Sequence, residues 1–126
     1  MSTEQTEKIL YICTKAGDDP EKAAMPFVMA NAALAMDIEA TVCLQGNAVY
    51  LAQKGYTDKM LPPGGFPPLK KLVSEFIELG GKLLVCVPCI KERNIDEATD
   101  LIEGAQTTAA GALNIEATES KAVLVY

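Results

Sequence analysis

The sequence predicts an α/β fold, a three-layer α/β/α sandwich around an open, mostly parallel sheet of about five strands. Three observations carry this. Short β-rich apolar runs alternate with helical patterns along the chain, the order that strand–helix–strand crossovers require. The runs are apolar continuously rather than alternately, which suits strands covered on both faces. A chain of 126 residues, 49% hydrophobic and 22% charged, can bury one core. Residues 1–126 are therefore expected to form a single domain, with 1–7, polar and acidic, as a flexible N-terminus.

The elements follow in order. Residues 8–14, Lys-Ile-Leu-Tyr-Ile-Cys-Thr, read as the first strand, and 40–44, Ala-Thr-Val-Cys-Leu, as the second. Between them Asp19-Pro20 suits an N-cap and first helical position, and Pro26 kinks or restarts the helix. From Ala23 to Met36 that helix carries no charge, and Asn31 is its one clearly polar side chain. A helix apolar all round has a face to cover, which points to a subunit interface, the weaker alternative being an alanine-rich helix whose small side chains expose little. Residues 61–68, Leu-Pro-Pro-Gly-Gly-Phe-Pro-Pro, cannot continue a helix or a central strand. They read as a stiff connection, with Phe66 as a flap over a site the weaker alternative. Leu69, Leu72, Val73, Phe76 and Ile77 share one helical face, with Pro67 or Pro68 in the first turn and Gly80-Gly81 as the stop. Residues 82–87 read as the third strand. Asn94 with Glu97 resembles an N-terminal capping pair for a helix ending at Gly104. A weaker strand over 105–109, a helix over 110–119 and a last strand over 122–126 complete the chain. The expected strand order is flavodoxin-like.

Composition removes whole classes of chemistry. The chain has no histidine, so Ser-His-Asp and Cys-His catalysis and His-ligated zinc are excluded. With 11 basic and 17 acidic side chains it carries a net charge of −6, the wrong sign for binding nucleic acid. It has no tryptophan and few aromatic residues for stacking bases. No apolar run is long enough to span a membrane, and the first residues lack the basic and apolar regions of a signal peptide. A cytoplasmic location follows, where thiols stay reduced. No G-x-G-x-x-G or P-loop follows a strand, so no nucleotide cofactor is expected.

In open α/β sheets the ligand crevice lies beyond the carboxyl ends of the strands. Three loops should meet there: 14–19, 45–47 and 86–93. Only the last holds a nucleophile. Cys86 and Cys89 form a C-x-x-C at a strand end, with Lys91 and Arg93 close enough in sequence to lower a thiol's pKa. The spacing permits an internal disulfide, a persulfide on one thiol resolved by the other, or half of a metal site. Zinc would need two more ligands, Cys13 and Cys43 or carboxylates. Both of those cysteines fall inside strands, where a buried, inert thiol is the commoner role. Asp18 and Asp19 read as capping groups rather than an acid/base pair.

From residue 8 to 126 the chain resembles the DsrE/DsrF-like family, in the branch often labelled predicted peroxiredoxins. The resemblance rests on Asp19-Pro-Glu, on residues 26–36, on Lys54-Gly-Tyr56 and on residues 86–95. The Pro-x-x-x-Thr-x-x-Cys loop of a thioredoxin-fold peroxidase is absent. The resemblance implies a homo-oligomer, a trimer or hexamer, and sulfur-donor or acceptor proteins as partners. It also implies an active cysteine after the third strand, ahead of an Arg-Gly pair; Cys86 matches it, and Asn94 stands where glycine is common. The expected function is a small thiol protein of sulfur metabolism, sulfurtransferase-like or a sulfur carrier. Cys86 accepts sulfur as a persulfide, Cys89 resolves it, and Lys91 and Arg93 favour thiolate. The alternatives are an oligomeric small-ligand-binding module with a structural cysteine pair, and a Cys-ligated zinc site.

Overall fold

The computed structural model describes residues 7–126. Five strands form one parallel sheet: β1 (Lys8–Cys13), β2 (Glu39–Leu44), β3 (Lys82–Cys86), β4 (Ala105–Thr108) and β5 (Ala122–Val125). The layered, open parallel α/β class is the one expected. The order within the sheet is β4-β3-β2-β1-β5, not the flavodoxin order 2-1-3-4-5. The chain adds β2, β3 and β4 in one direction and returns once, placing β5 beside β1.

Helices α1 (Pro20–Ala35) and α2 (Leu69–Glu78) cover one face of the sheet, with Phe27 against Phe76 edge-on at 5.6 Å between ring centres. Of the five apolar residues expected on one face of α2, Leu69, Leu72, Val73 and Phe76 are buried and Ile77 is half-buried against the core. Gly80 takes a φ of +91° and the Gly81 amide donates to Phe76 O at 2.9 Å, a left-handed helix stop as expected. A Cβ on Gly81 would run into the Phe76 ring. The prolines sit just outside, the helix starting after Pro68. Phe66 packs against this same core, so the 61–68 segment is a connection and not a flap over the thiols. Helix α4 (Ala110–Thr118) covers the opposite face, where Leu113 and Ala117 pack on Leu10, Cys43 and Leu84.

One expected helix is absent. Residues 94–104 form turns, and the helix lies earlier, as α3 (Val87–Glu92). Asn94 ends α3 instead of starting a new helix: its φ is +56°, and the following Ile95 amide donates to Ile90 O at 2.9 Å. Glu97 accepts from Thr107 Oγ1, and Asp96 and Asp100 bond to amides of their own turn, giving the backbone an alternative to helix. The N-terminal expectation also changes at its edge. Glu7 is tied to Glu39 through its carbonyl and to Lys121 through its carboxylate, while residues 1–6 lie outside the described residues.

Helix α1 is less exposed than its composition suggested. It runs through Pro26 without interruption and buries Ala23, Ala24, Phe27, Ala30 and Ala33, leaving Met29 and Met36 outside. More exposed apolar side chains lie at the edge strand β5 and on α4, where Val123, Leu124, Val125 and Ile115 are exposed. An uncharged edge strand offers free backbone groups and apolar side chains to a second chain. We expect self-association through this edge. Sedimentation across a dilution series should find an oligomer that Val125→Lys dissociates more than Met36→Glu does. A wild-type monomer at micromolar concentration refutes it.

Candidate functional site

Cys86 ends β3 and caps α3, so its side chain leaves the sheet where the backbone turns from extended to helical. Pro88 lies in the first turn of α3, where a missing N–H costs nothing. One helical turn brings Cys89 back over Cys86, and the two half-buried sulfurs share a hydrogen bond at 2.9 Å. Both thiols are free.

The three expected loops do meet here. The Gly46 amide donates to Cys89 Sγ at 3.3 Å. Arg93 follows α3, donates through Nη1 to Cys89 O at 3.1 Å, and through Nε and Nη2 to Asn47 Oδ1 at 3.3 and 3.0 Å. Its guanidinium lies over the Tyr50 ring, 5.8 Å from the centroid, and Tyr50 stacks on Tyr56 at 5.2 Å. The Tyr56 hydroxyl accepts from the Gly17 amide at 2.9 Å, which ties in the first loop. A 3-10 helix over Gly46–Ala52 delivers Asn47 and Tyr50.

Asp18 closes its own turn by accepting from the Ala16 amide at 2.8 Å, and Asp19 caps α1 by accepting from Lys22 N at 3.1 Å. Asp19 is the helix cap expected, whereas Asp18 closes a turn rather than capping a helix. The Ala16 amide is the main cause that holds the Asp18 carboxyl below its ordinary value, and the Asn47 side chain contributes.

The electrostatics differ from expectation. Burial and the neighbouring Cys89 sulfur push the Cys86 thiol above its ordinary value, against the pull of the Cys89 amide and the Arg93 guanidinium. Arg93 acts in the expected direction but is outweighed. Lys91 is exposed, and its side chain takes no part in an ion pair or hydrogen bond among the described residues. Its four-carbon stem leaves the charge in solvent, where screening is strong.

Cys13 and Cys43 are buried on opposite sides of the sheet. Burial pushes Cys13 up to about 11 and Cys43 up to about 12. Among the described residues no group of three or more cysteine, aspartate or glutamate side chains is placed to hold a metal ion. Alkylation with peptide mapping should therefore label Cys86 and Cys89 well before Cys13 and Cys43, since access favours the half-buried pair and burial keeps the other two thiols protonated. Equal rates at all four positions would refute the assignment.

Two surface cavities of about 490 and 520 Å3 share Lys54, Gly55 and Asp58 in their linings, and neither lining includes Cys86 or Cys89. No helix among the described residues is long and apolar enough to cross a membrane.

Residues 7–126 match the model of the DsrE/DsrF-like family. The chain is 34% identical over 119 residues to the uncharacterized protein MJ0989 of Methanocaldococcus jannaschii, covering 94% of this chain and 99% of that protein. It is also 34% identical over 104 residues to the uncharacterized protein MJ0760 of the same organism, covering 82% of this chain but 37% of that longer protein. Among solved structures, the ychN protein from E. coli superposes with a TM-score of 0.80 at 18% identity, covering 96% of this chain and all of that one. A protein of unknown function from Methanobacterium thermoautotrophicum, MTH1491, does so with 0.71 at 14% identity, covering 97% of this chain and all of that one. At these identities the two structures share the fold.

Proposed function

Because the chain belongs to the DsrE/DsrF-like family, a family associated with sulfur relay, we propose that it accepts sulfur on Cys86 as a persulfide and passes it on. The observation that carries the reading is the pair of free thiols in hydrogen-bond contact at the carboxyl end of β3, the end of a parallel sheet where ligands bind.

The chemistry follows from the two sulfurs. A Cys86 thiolate attacks the outer sulfur of a donor persulfide. The donor's S–S bond breaks, the donor leaves as a thiolate, and a Cys86 persulfide forms. An acceptor thiolate then takes the outer sulfur and returns Cys86 as thiolate. Because burial raises the Cys86 pKa, only a small fraction is thiolate at neutral pH. Transfer should therefore speed up as pH rises toward that raised value. The persulfide, once formed, ionises more readily than the parent thiol and is the better nucleophile.

The test is intact-mass measurement of the reduced protein after exposure to a small persulfide donor. A gain of one sulfur atom, reversed by a thiol acceptor, is expected. A protein that gains none from any donor between pH 7 and roughly pH 9, the ordinary range of cysteine ionisation, refutes the proposal.

A further inference from the structure

Arginine has five N–H donors in a fixed fork. In this site three are engaged: Nε and one Nη2 hydrogen on Asn47 Oδ1, and one Nη1 hydrogen on Cys89 O. No protein acceptor takes the other two among the described residues. The guanidinium is also held from below by the Tyr50 ring. A side chain with about 2 kcal/mol of rotamer freedom is therefore fixed in orientation while donors stay available beside the thiol pair.

Asn47 lies in the 3-10 helix over Gly46–Ala52, and its amide oxygen faces the guanidinium. The first loop lies alongside, where Asn47 helps hold the Asp18 carboxyl below its ordinary value. The Tyr56 hydroxyl on the Gly17 amide links the same first loop to the ring stack under Arg93.

We infer that Asn47 is a positioning residue that holds the Arg93 guanidinium so that its two remaining N–H groups receive an anionic sulfur on the Cys86–Cys89 pair. The thiolate is one such anion; that the persulfide is another rests on the proposed function. The class of ligand recognised is a soft monoanion covalently attached to the site, and not a free carboxylate or phosphate. Arg93 is the residue that meets the anion, and Asn47 acts through it.

The experiment follows Cys86 alkylation by peptide mapping across pH, in wild type and Asn47→Ala. Losing the acceptor lets the guanidinium swing into solvent, so Asn47→Ala should raise the Cys86 midpoint by roughly half a pH unit and slow alkylation at neutral pH about threefold. The limiting rate at high pH should stay the same, because the thiolate is as accessible as before. An unchanged midpoint in a folded Asn47→Ala protein overturns the inference. So does a changed limiting rate with the midpoint fixed, which marks a loosened loop. Neither readout uses sulfur transfer. A shifted midpoint in a protein that never gains sulfur supports the positioning role and removes the proposed function; sulfur uptake with no shift does the reverse.

Discussion

Glu116→Gln should destabilise the protein by about 2–3 kcal/mol at neutral pH, the largest stability loss we expect from a substitution that changes no volume. Glu116 lies in α4 with its side chain 7% exposed. Its carboxylate meets Lys82 Nζ at 2.8 Å, Lys8 Nζ at 3.1 Å and Thr41 Oγ1 at 3.1 Å. These partners come from β3, β1 and β2, so a single carboxylate fastens α4 across three strands. Little else does: α4 packs through Leu113 and Ala117, and Ile115 points away, exposed. Glutamine keeps the Thr41 contact, leaves Lys82 without a counter-charge and leaves Lys8 only the exposed Glu119 carboxylate at 3.6 Å. Both lysine heads reach solvent, 23% and 45% exposed, so the cost is below that of a fully buried pair.

The same cluster sets a pH dependence. Burial pushes the Glu116 carboxyl up, but the bonds from Lys82, Lys8 and Thr41 outweigh it, and the net pKa falls below the ordinary 4.5. A depressed carboxylate contributes stability that is present above its unfolded value and is lost as pH falls through the folded one. The gap between wild type and Glu116→Gln should therefore be full at pH 7 and shrink below pH 4.5. Urea unfolding at fixed protein concentration reads it. A gap that does not change with pH would show that the charge is not what holds α4.

Elements buried on both sheet faces were legible, because a continuous apolar run has few other uses. β5 shows where that rule fails. Its run is as apolar as the others, yet all four residues are exposed, because no helix covers the sheet edge. The false helix at 94–104 came from a pattern with two meanings. Asparagine suits an N-cap, but it also tolerates the left-handed angle that ends a helix, and here it does the second.

At the site, Cys86, Cys89 and Arg93 could be named from spacing alone. Asn47 was visible only as part of a loop, and Tyr50 not at all. A 3-10 helix leaves no periodic apolar stripe, and the contact between residues 47 and 93 is long-range. Glu116 did leave a signal. It is the one charged residue in the α4 sequence Ala-Gly-Ala-Leu-Asn-Ile-Glu-Ala-Thr. A lone carboxylate in an apolar helix has to find cations or lie at the surface.

Cys86→Ser should abolish sulfur uptake, and Cys89→Ser should prolong the persulfide by roughly tenfold or more. The asymmetry follows from what each sulfur can do. In the wild type a Cys86 persulfide sits beside the Cys89 thiol, whose sulfur lies 2.9 Å from Cys86 Sγ in the reduced protein. A Cys89 thiolate attacks Cys86 Sγ, the bond to the outer sulfur breaks, and hydrosulfide leaves. The two cysteines are oxidised to a disulfide as the outer sulfur is reduced, and an external dithiol restores the pair. Serine at 89 cannot make this attack, so the persulfide waits for an acceptor. Serine at 86 removes the receiving atom. Cys13 and Cys43, buried and with raised pKa values, do not substitute for it. Intact mass against time, with a hydrosulfide probe in parallel, separates the cases. Uptake that survives Cys86→Ser and vanishes in Cys89→Ser reverses the two roles. Equal persulfide lifetimes in wild type and Cys89→Ser mean that the second thiol does not resolve the first.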